Sequence, residues 1–285
     1  MFSQKHKIKY KMQRLFKILK HLVMLSLSVM FLIPLLWMIS TSLKTPEQIF
    51  LSDIKWIPQP INWGNYLRAF QYVDLFNCFK NTLLLCVLNV GGVILASSLA
   101  AYAFSVLKWK FRDLFFYITL ATMMLPEMVT LVPQFVLFQK LGWYGTYLPL
   151  IAPCLCGNAF YIFLLRQFFL TIPRELHEAA SIDGCSEFTI YRKIYLLLSV
   201  PAISVVALFQ FLFTWNDLMK PSIYLIDKNQ YTLSLALQQY KAQHGGTEWA
   251  MLMAASTVIV LPIIIIFFLL QKTFVQGISM TGIKE

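Results

Sequence analysis

Apolar residues in this chain gather into six long stretches, at about 21–43, 82–107, 114–138, 147–170, 194–214 and 249–271. Each is close to the ~20 residues that a helix needs to cross a ~30 Å hydrocarbon layer. The pattern therefore predicts six spans, the third interrupted, since Pro126 and Pro133 there impose a kink or an early exit. Between the fourth and fifth stretches the pattern changes. "RELHEAASIDGCSE", residues 174–187, is short and polar. Pro173 suits the first position of a helix, and Glu175 places negative charge in its first turn. Leu176, Ala179, Ala180 and Asp183 recur at three- and four-residue spacing and share a face, flat and small at the alanines. Gly184 then ends the helix by accepting a positive φ. Ser186 is placed to cap a second short helix carrying Phe188, Tyr191 and Arg192.

Composition agrees with a membrane-embedded bundle. Of 285 residues, 58% are hydrophobic and 13% charged, against roughly 25% charged in soluble domains. The net charge of +11 would suit nucleic acid, but its distribution points elsewhere. Seven Lys/Arg and no acid lie in "MFSQKHKIKYKMQRLFKILK", directly before the first apolar stretch. A basic segment beside a span orients it and contacts anionic lipid; no basic folded domain exists to bind nucleic acid. The apolar run after it exceeds the 7–15 residues of a signal-peptide core and lacks an A-x-A site, so it is expected to remain as the first helix.

Basic residues also set the topology. Sixteen Lys/Arg fall in 1–20, 108–113, 166–193 and 272–285, against eight in the intervening outside segments. That bias places both termini, and the polar helix-turn, in the cytoplasm. The outside segments 44–80 and 215–248 carry Pro, Trp and Tyr in a pattern that suits compact loops or a short interfacial helix.

Catalytic and nucleotide motifs are missing: no phosphate-binding loop, nucleophile elbow, zinc-protease or dinucleotide motif occurs. The five cysteines and four histidines are scattered, which implies no metal site and no disulfide framework. Glu127 and Arg166 are the notable charges within the spans, and both lie toward span ends, where a side chain reaches water by snorkelling. Gly91, Gly92, Ala96, Ser97, Ser98, Ala100 and Ala101 let other helices pack closely on the second span.

Glu178, Ala179, Ala180, Gly184 and Ile194 reproduce the spacing E-A-A, three residues, G, nine residues, I. This resembles the EAA loop of ABC-importer permeases. "INWGNYLRAF", "LRQFFLTIPRELHEAASIDG", "FTWNDLMKPSIYLI" and the ending "FVQGISMTGIKE" are similar to the carbohydrate-uptake subgroup related to the maltose permease MalG. Leu197 stands where that loop's proline is usual, and Glu285 where the tail's last glycine is usual. The resemblance implies an all-α, six-span bundle of the type I ABC importer permease fold. It implies a basic segment 1–20, a first helix 21–43, an external loop 44–76, a permease core 77–271 with the coupling loop at 173–196, and a tail 272–285. The chain is then not an enzyme and binds no cofactor of its own; two cytoplasmic ATPase subunits use the ATP. A MalF-like second permease subunit and an extracytoplasmic solute-binding protein complete the sugar importer in a bacterial cell membrane. Glu178, Ala179, Ala180, Asp183 and Gly184 would transmit ATPase motion, and the tail at Gly277, Gly282 and Lys284 would also touch the ATPases. No motif names a substrate contact. An importer for another small solute, and an ion-driven secondary transporter, remain the alternatives.

Overall fold

The computed structural model describes the backbone of residues 2–50, 53, 55–241 and 247–281, with side chains described between 12 and 271. Among these residues all regular structure is helical. In chain order the α-helices are α1 (Phe2–Ser42), α2 (Pro46–Ile49), α3 (Gly64–Tyr72), α4 (Leu75–Ser105), α5 (Arg112–Ala121), α6 (Glu127–Lys140), α7 (Leu148–Ile151) and α8 (Ala159–Phe169). They continue as α9 (Arg174–Ile182), α10 (Glu187–Ile190), α11 (Leu196–Leu198), α12 (Val200–Asn216), α13 (Met219–Tyr224), α14 (Leu233–Gln238) and α15 (Trp249–Thr281).

Four helical segments are long and apolar enough to cross a membrane: Met12–Ser42, Leu75–Ser105, Leu148–Phe169 and Trp249–Gln271. Two more candidates are bent pairs. Arg112–Met124 and Glu127–Lys140 meet at 99°, and Glu187–Leu198 and Val200–Asn216 at 78°. The break at Pro126 follows from the residue itself, which takes an extended ψ of 135° and leaves α6 to start at Glu127. The fifth apolar stretch, expected as one span over about 194–214, breaks at Ser199 with Pro201 in the first turn of α12. The basic segment and the first span form one helix of 41 residues, about 60 Å at the usual rise. That is twice the hydrocarbon thickness.

The described residues form two compact units, one reaching Tyr72 and taking in Tyr240–Val258, the other holding Val73–Gln239 and the rest of α15. In the first, Asn65 is buried and its amide donates to the carbonyls of Ser42 and Lys44, 2.8 Å each. Ser42 Oγ lies 2.8 Å from the Tyr66 hydroxyl, and Tyr240 donates to the Ala69 carbonyl at 2.7 Å. The segment after α1 is thus an ordered turn with α3 folded back on it.

In the second unit α4 is the central helix, packed along α12 and α8. Ser97, Ser98 and Ala101 are fully buried on it. A Cβ at Gly92 would lie 2.8 Å from the tip of the Leu155 side chain, which would have to turn aside. A Cβ at Gly91 would meet no atom of this chain within 4 Å among the described residues. At the start of α4, Asn77 and Asn81 donate to the Asn229 carbonyl at 2.7 Å, and Thr82 Oγ1 accepts from Leu233 N–H at 2.9 Å. Leu85, Phe138, Leu150, Tyr224 and Leu225 form an aromatic and aliphatic core beneath these bonds.

Candidate coupling site

The polar helix-turn folds as its sequence dictates, with one shift of register. Pro173 is the N-cap of α9 and not its first residue, with φ −56° and ψ 131°. Glu175 sits in the first turn, where the helix dipole favours it. At the other end Gly184 N–H donates to the Ser181 carbonyl (3.1 Å) and Cys185 N–H to the Ala180 carbonyl (3.0 Å). That pair of bonds, with Gly184 at φ +77°, is a Schellman stop. Ser186 then caps α10, its hydroxyl accepting from Thr189 N–H at 3.3 Å. A π-helical turn, Tyr191–Tyr195, follows. Leu197 is exposed; the helix breaks two residues later at Ser199, and Pro201, four residues later, lies in the first turn of α12.

The expected common face of α9 is divided by the structure. Glu178, Ala179, Ile182 and Asp183 are exposed, Ile182 by 86%. Ala180 turns inward and packs against the core formed by Tyr102, Leu165, Phe169, Ile190, Tyr191 and Tyr195. Ala179 and Ala180 therefore do different work: one leaves the outer surface low, the other lets the helix lie close to the bundle.

Two residues that sequence reasoning missed hold α9 in place. Glu187, on α10, accepts a hydrogen bond from the buried Tyr102 hydroxyl of α4 at 2.6 Å. Its other carboxylate oxygen lies 3.7 Å from His177 Nε2 on α9. The His177 ring stands edge-on to Tyr195, whose ring meets Tyr102 at 5.0 Å and Phe169 at 5.6 Å. Tyr191 adds a second link to α4 through Ser98, 2.7 Å between hydroxyls. The signal available in sequence was His177 at the inward i−3 position from Ala180. Nothing in the spacing revealed Tyr102 as a partner 85 residues away. Beside this junction is a cavity of about 670 Å³ lined by Ser105, Lys108, Phe169, Arg174, His177 and Tyr195. The segment is anchored along one side and free along the other.

Gly277 lies in the backbone of α15, with its surroundings outside the described residues, and Gly282 and Lys284 lie outside them altogether. Both charges named within the spans have partners in the chain. Arg166 donates from Nε to the Phe104 carbonyl at 3.1 Å and sits 4.1 Å over the Phe116 ring. Glu127 Oε1 pairs with Lys220 Nζ at 2.7 Å. All five cysteines are free, and no cluster of three metal-ligating side chains occurs among the described residues.

Comparison with known proteins matches this architecture. The fold aligns with a bacterial ABC transporter involved in import of the acidic polysaccharide alginate, at a TM-score of 0.80 and 22% identity, over 92% of this chain and 97% of that one. "Probable ABC transporter permease protein YurM" of Bacillus subtilis is 34% identical over 88% of this chain and 83% of its own length. The arabinooligosaccharide transport permease AraQ of Halalkalibacterium halodurans is 31% identical, over 88% and 90%. Residues 92–280, which contain the helix-turn, match the family model for binding-protein-dependent transport system inner membrane components. The chain belongs to that family of multi-pass membrane permeases.

Proposed function

We propose that this chain is one permease subunit of a carbohydrate importer, with α9 as the element that a cytoplasmic ATPase subunit moves. The observation that carries the reading is the one-sided anchoring of α9: its inner face is tied to α4 through Glu187, while Glu178, Ala179, Ile182 and Asp183 are left uncovered. A low alanine surface flanked by two carboxylates fits a cleft on another protein. A rigid push on such a helix reaches α4 and α12 through packed rings and two hydrogen bonds, Tyr102–Glu187 and Ser98–Tyr191. Carbohydrate as cargo rests on the relatives, whose names specify arabinooligosaccharides and diacetylchitobiose.

In this reading both termini are cytoplasmic, a second permease subunit completes the pathway, and an external binding protein delivers the solute. Two ATPase subunits supply the energy, and the tail at Gly277, Gly282 and Lys284 adds a further contact to them. The test is co-expression with the neighbouring transport genes and reconstitution in proteoliposomes. Ala179→Trp should leave the complex assembled and abolish solute-stimulated ATP hydrolysis. Full stimulation in that variant, or a tagged chain that captures no ATPase, would sink the proposal.

A further inference from the structure

The broken helix pair beginning at Arg112 places a charge at its break. Helix α5 has 10 residues and the 3-10 turn after it has 3. Together they rise about 21 Å, short of the ~30 Å hydrocarbon thickness. The chain then turns by 99° at Pro126, and the first residue of the new helix is Glu127. A backbone break at membrane depth is tolerated where it is buried in protein or lines a wet cavity. An ionisable side chain there marks a solute or ion path by default, and transporters place solutes at interrupted helices.

Facing Glu127 is the end of α12 and the turn after it. Lys220 Nζ reaches Glu127 Oε1 at 2.7 Å and lies 5.2 Å from the Phe213 ring centre. Asp217 Oδ1 accepts from the Lys220 backbone N–H at 3.2 Å, which fixes the turn. Glu127, Leu131, Phe213, Asn216, Asp217 and Lys220 line one cavity of about 310 Å³. The Glu127 side chain is 57% exposed, so the ion pair leaves much of its carboxylate open.

We infer that Glu127, Asp217 and Lys220, with the Phe213 ring as an apolar wall, form a subsite on the translocation path for a neutral, polyhydroxylated solute. The inference rests on the permease reading above and adds to it a place and a chemical class for the cargo. A sugar hydroxyl both donates and accepts. The carboxylates accept hydrogen bonds from its O–H and the ammonium donates to its oxygens, each a charge-assisted bond. The C–H face of a pyranose or furanose ring packs against an aromatic ring, and a few fixed polar groups within an apolar wall is the usual make-up of a small-molecule site. Two carboxylates against one ammonium repel an anionic sugar. The site therefore selects neutral saccharides.

The test uses the whole complex in proteoliposomes, with arabinotriose and maltotriose as neutral probes and an alginate trisaccharide as the acidic one. Uptake of a neutral probe and not of the acidic one is expected. Glu127→Gln and Lys220→Met should each lower that uptake at least ten-fold in complexes that still co-purify intact. The exchange Glu127→Lys with Lys220→Glu restores an ion pair but inverts its polarity, and uptake should stay low. Recovery in the exchange shows a structural brace and overturns the subsite, as does full uptake in the single variants or uptake of the acidic probe. Should the charge variants fail to assemble, Phe213→Ala should raise the KM for the neutral probe several-fold, and an unchanged KM overturns the proposal. Failure to capture an ATPase defeats the permease reading instead, whereas a coupled complex with unaltered variants defeats only the subsite.

Discussion

Helix α4 is held differently at its two ends. Its first turns are clamped by the segment 225–233 through three side-chain bonds of 2.7–2.9 Å, from Asn77, Asn81 and Thr82. Trp215, 1% exposed, is stacked on Phe211 and edge-on to Phe79 in the same unit. Its last turns meet the α9–α10 segment through Tyr102–Glu187 and Ser98–Tyr191, with aromatic edges around them and a 670 Å³ cavity beside them. The first end uses backbone partners, which cannot move without unfolding the loop. The second uses side chains that can pivot. A helix fixed at one end and hinged through side chains at the other is suited to convert a push on α9 into tilt.

The contrast can be broken most easily at its strongest point. Trp215→Ala should cost about 3–5 kcal/mol, read as a large fall in the melting temperature of the detergent-solubilised complex. A comparable loss from any single change in α9 would remove the distinction between the ends. Thr82→Val leaves the buried Leu233 N–H without its acceptor and should cost about 1–3 kcal/mol. Glu187→Leu orphans the Tyr102 hydroxyl, but the adjacent cavity admits water, so the stability loss should fall near the bottom of that ~1–3 kcal/mol range. Its larger effect is functional: more ATP hydrolysed per solute transported, with Glu187→Gln, which still accepts the Tyr102 bond, restoring most of the coupling. An unchanged ratio in Glu187→Leu would show that α9 does not act through α4.

Smaller effects sharpen the same picture. A Cβ at Gly184 meets open space, and its cost is the φ of +77° alone, about 1–2 kcal/mol for Gly184→Ala. Thermal unfolding measures it, and no change would mean that the Schellman stop is not maintained. Ala179→Trp touches only the uncovered surface and should change stability by less than about 0.5 kcal/mol. The same variant separates anchoring from docking, since stability persists while ATPase coupling is lost.

Much of this fold was legible because membrane insertion imposes a coarse rule on sequence. Each long apolar stretch had to become mainly helical, although breaks fall at Pro126, Gly157–Asn158 and Ser199. The caps of the helix-turn were equally local: Glu175, Gly184 and Ser186 act within one turn of their own position. Ala180 shows where local reasoning stopped. Spacing placed it beside Ala179, but the direction of the bundle, which turns it inward, is set by Tyr102, Phe169 and Tyr195 from three other segments. Leu197 gave a similar lesson, because a π-helical turn and Pro201 relocate the bend to Ser199.

By itself, then, the sequence determined the helical class, the apolar spans, the start and stop of α9 and the family to which they belong. These depend on burial from water, on φ preferences and on capping, all of which act over a few residues. Only the tertiary structure decided that Glu187 joins α9 to Tyr102, and that Glu127 pairs with Lys220. Those pairs span 85 residues in one case and 93 in the other, and their partners are chosen by how the helices pack.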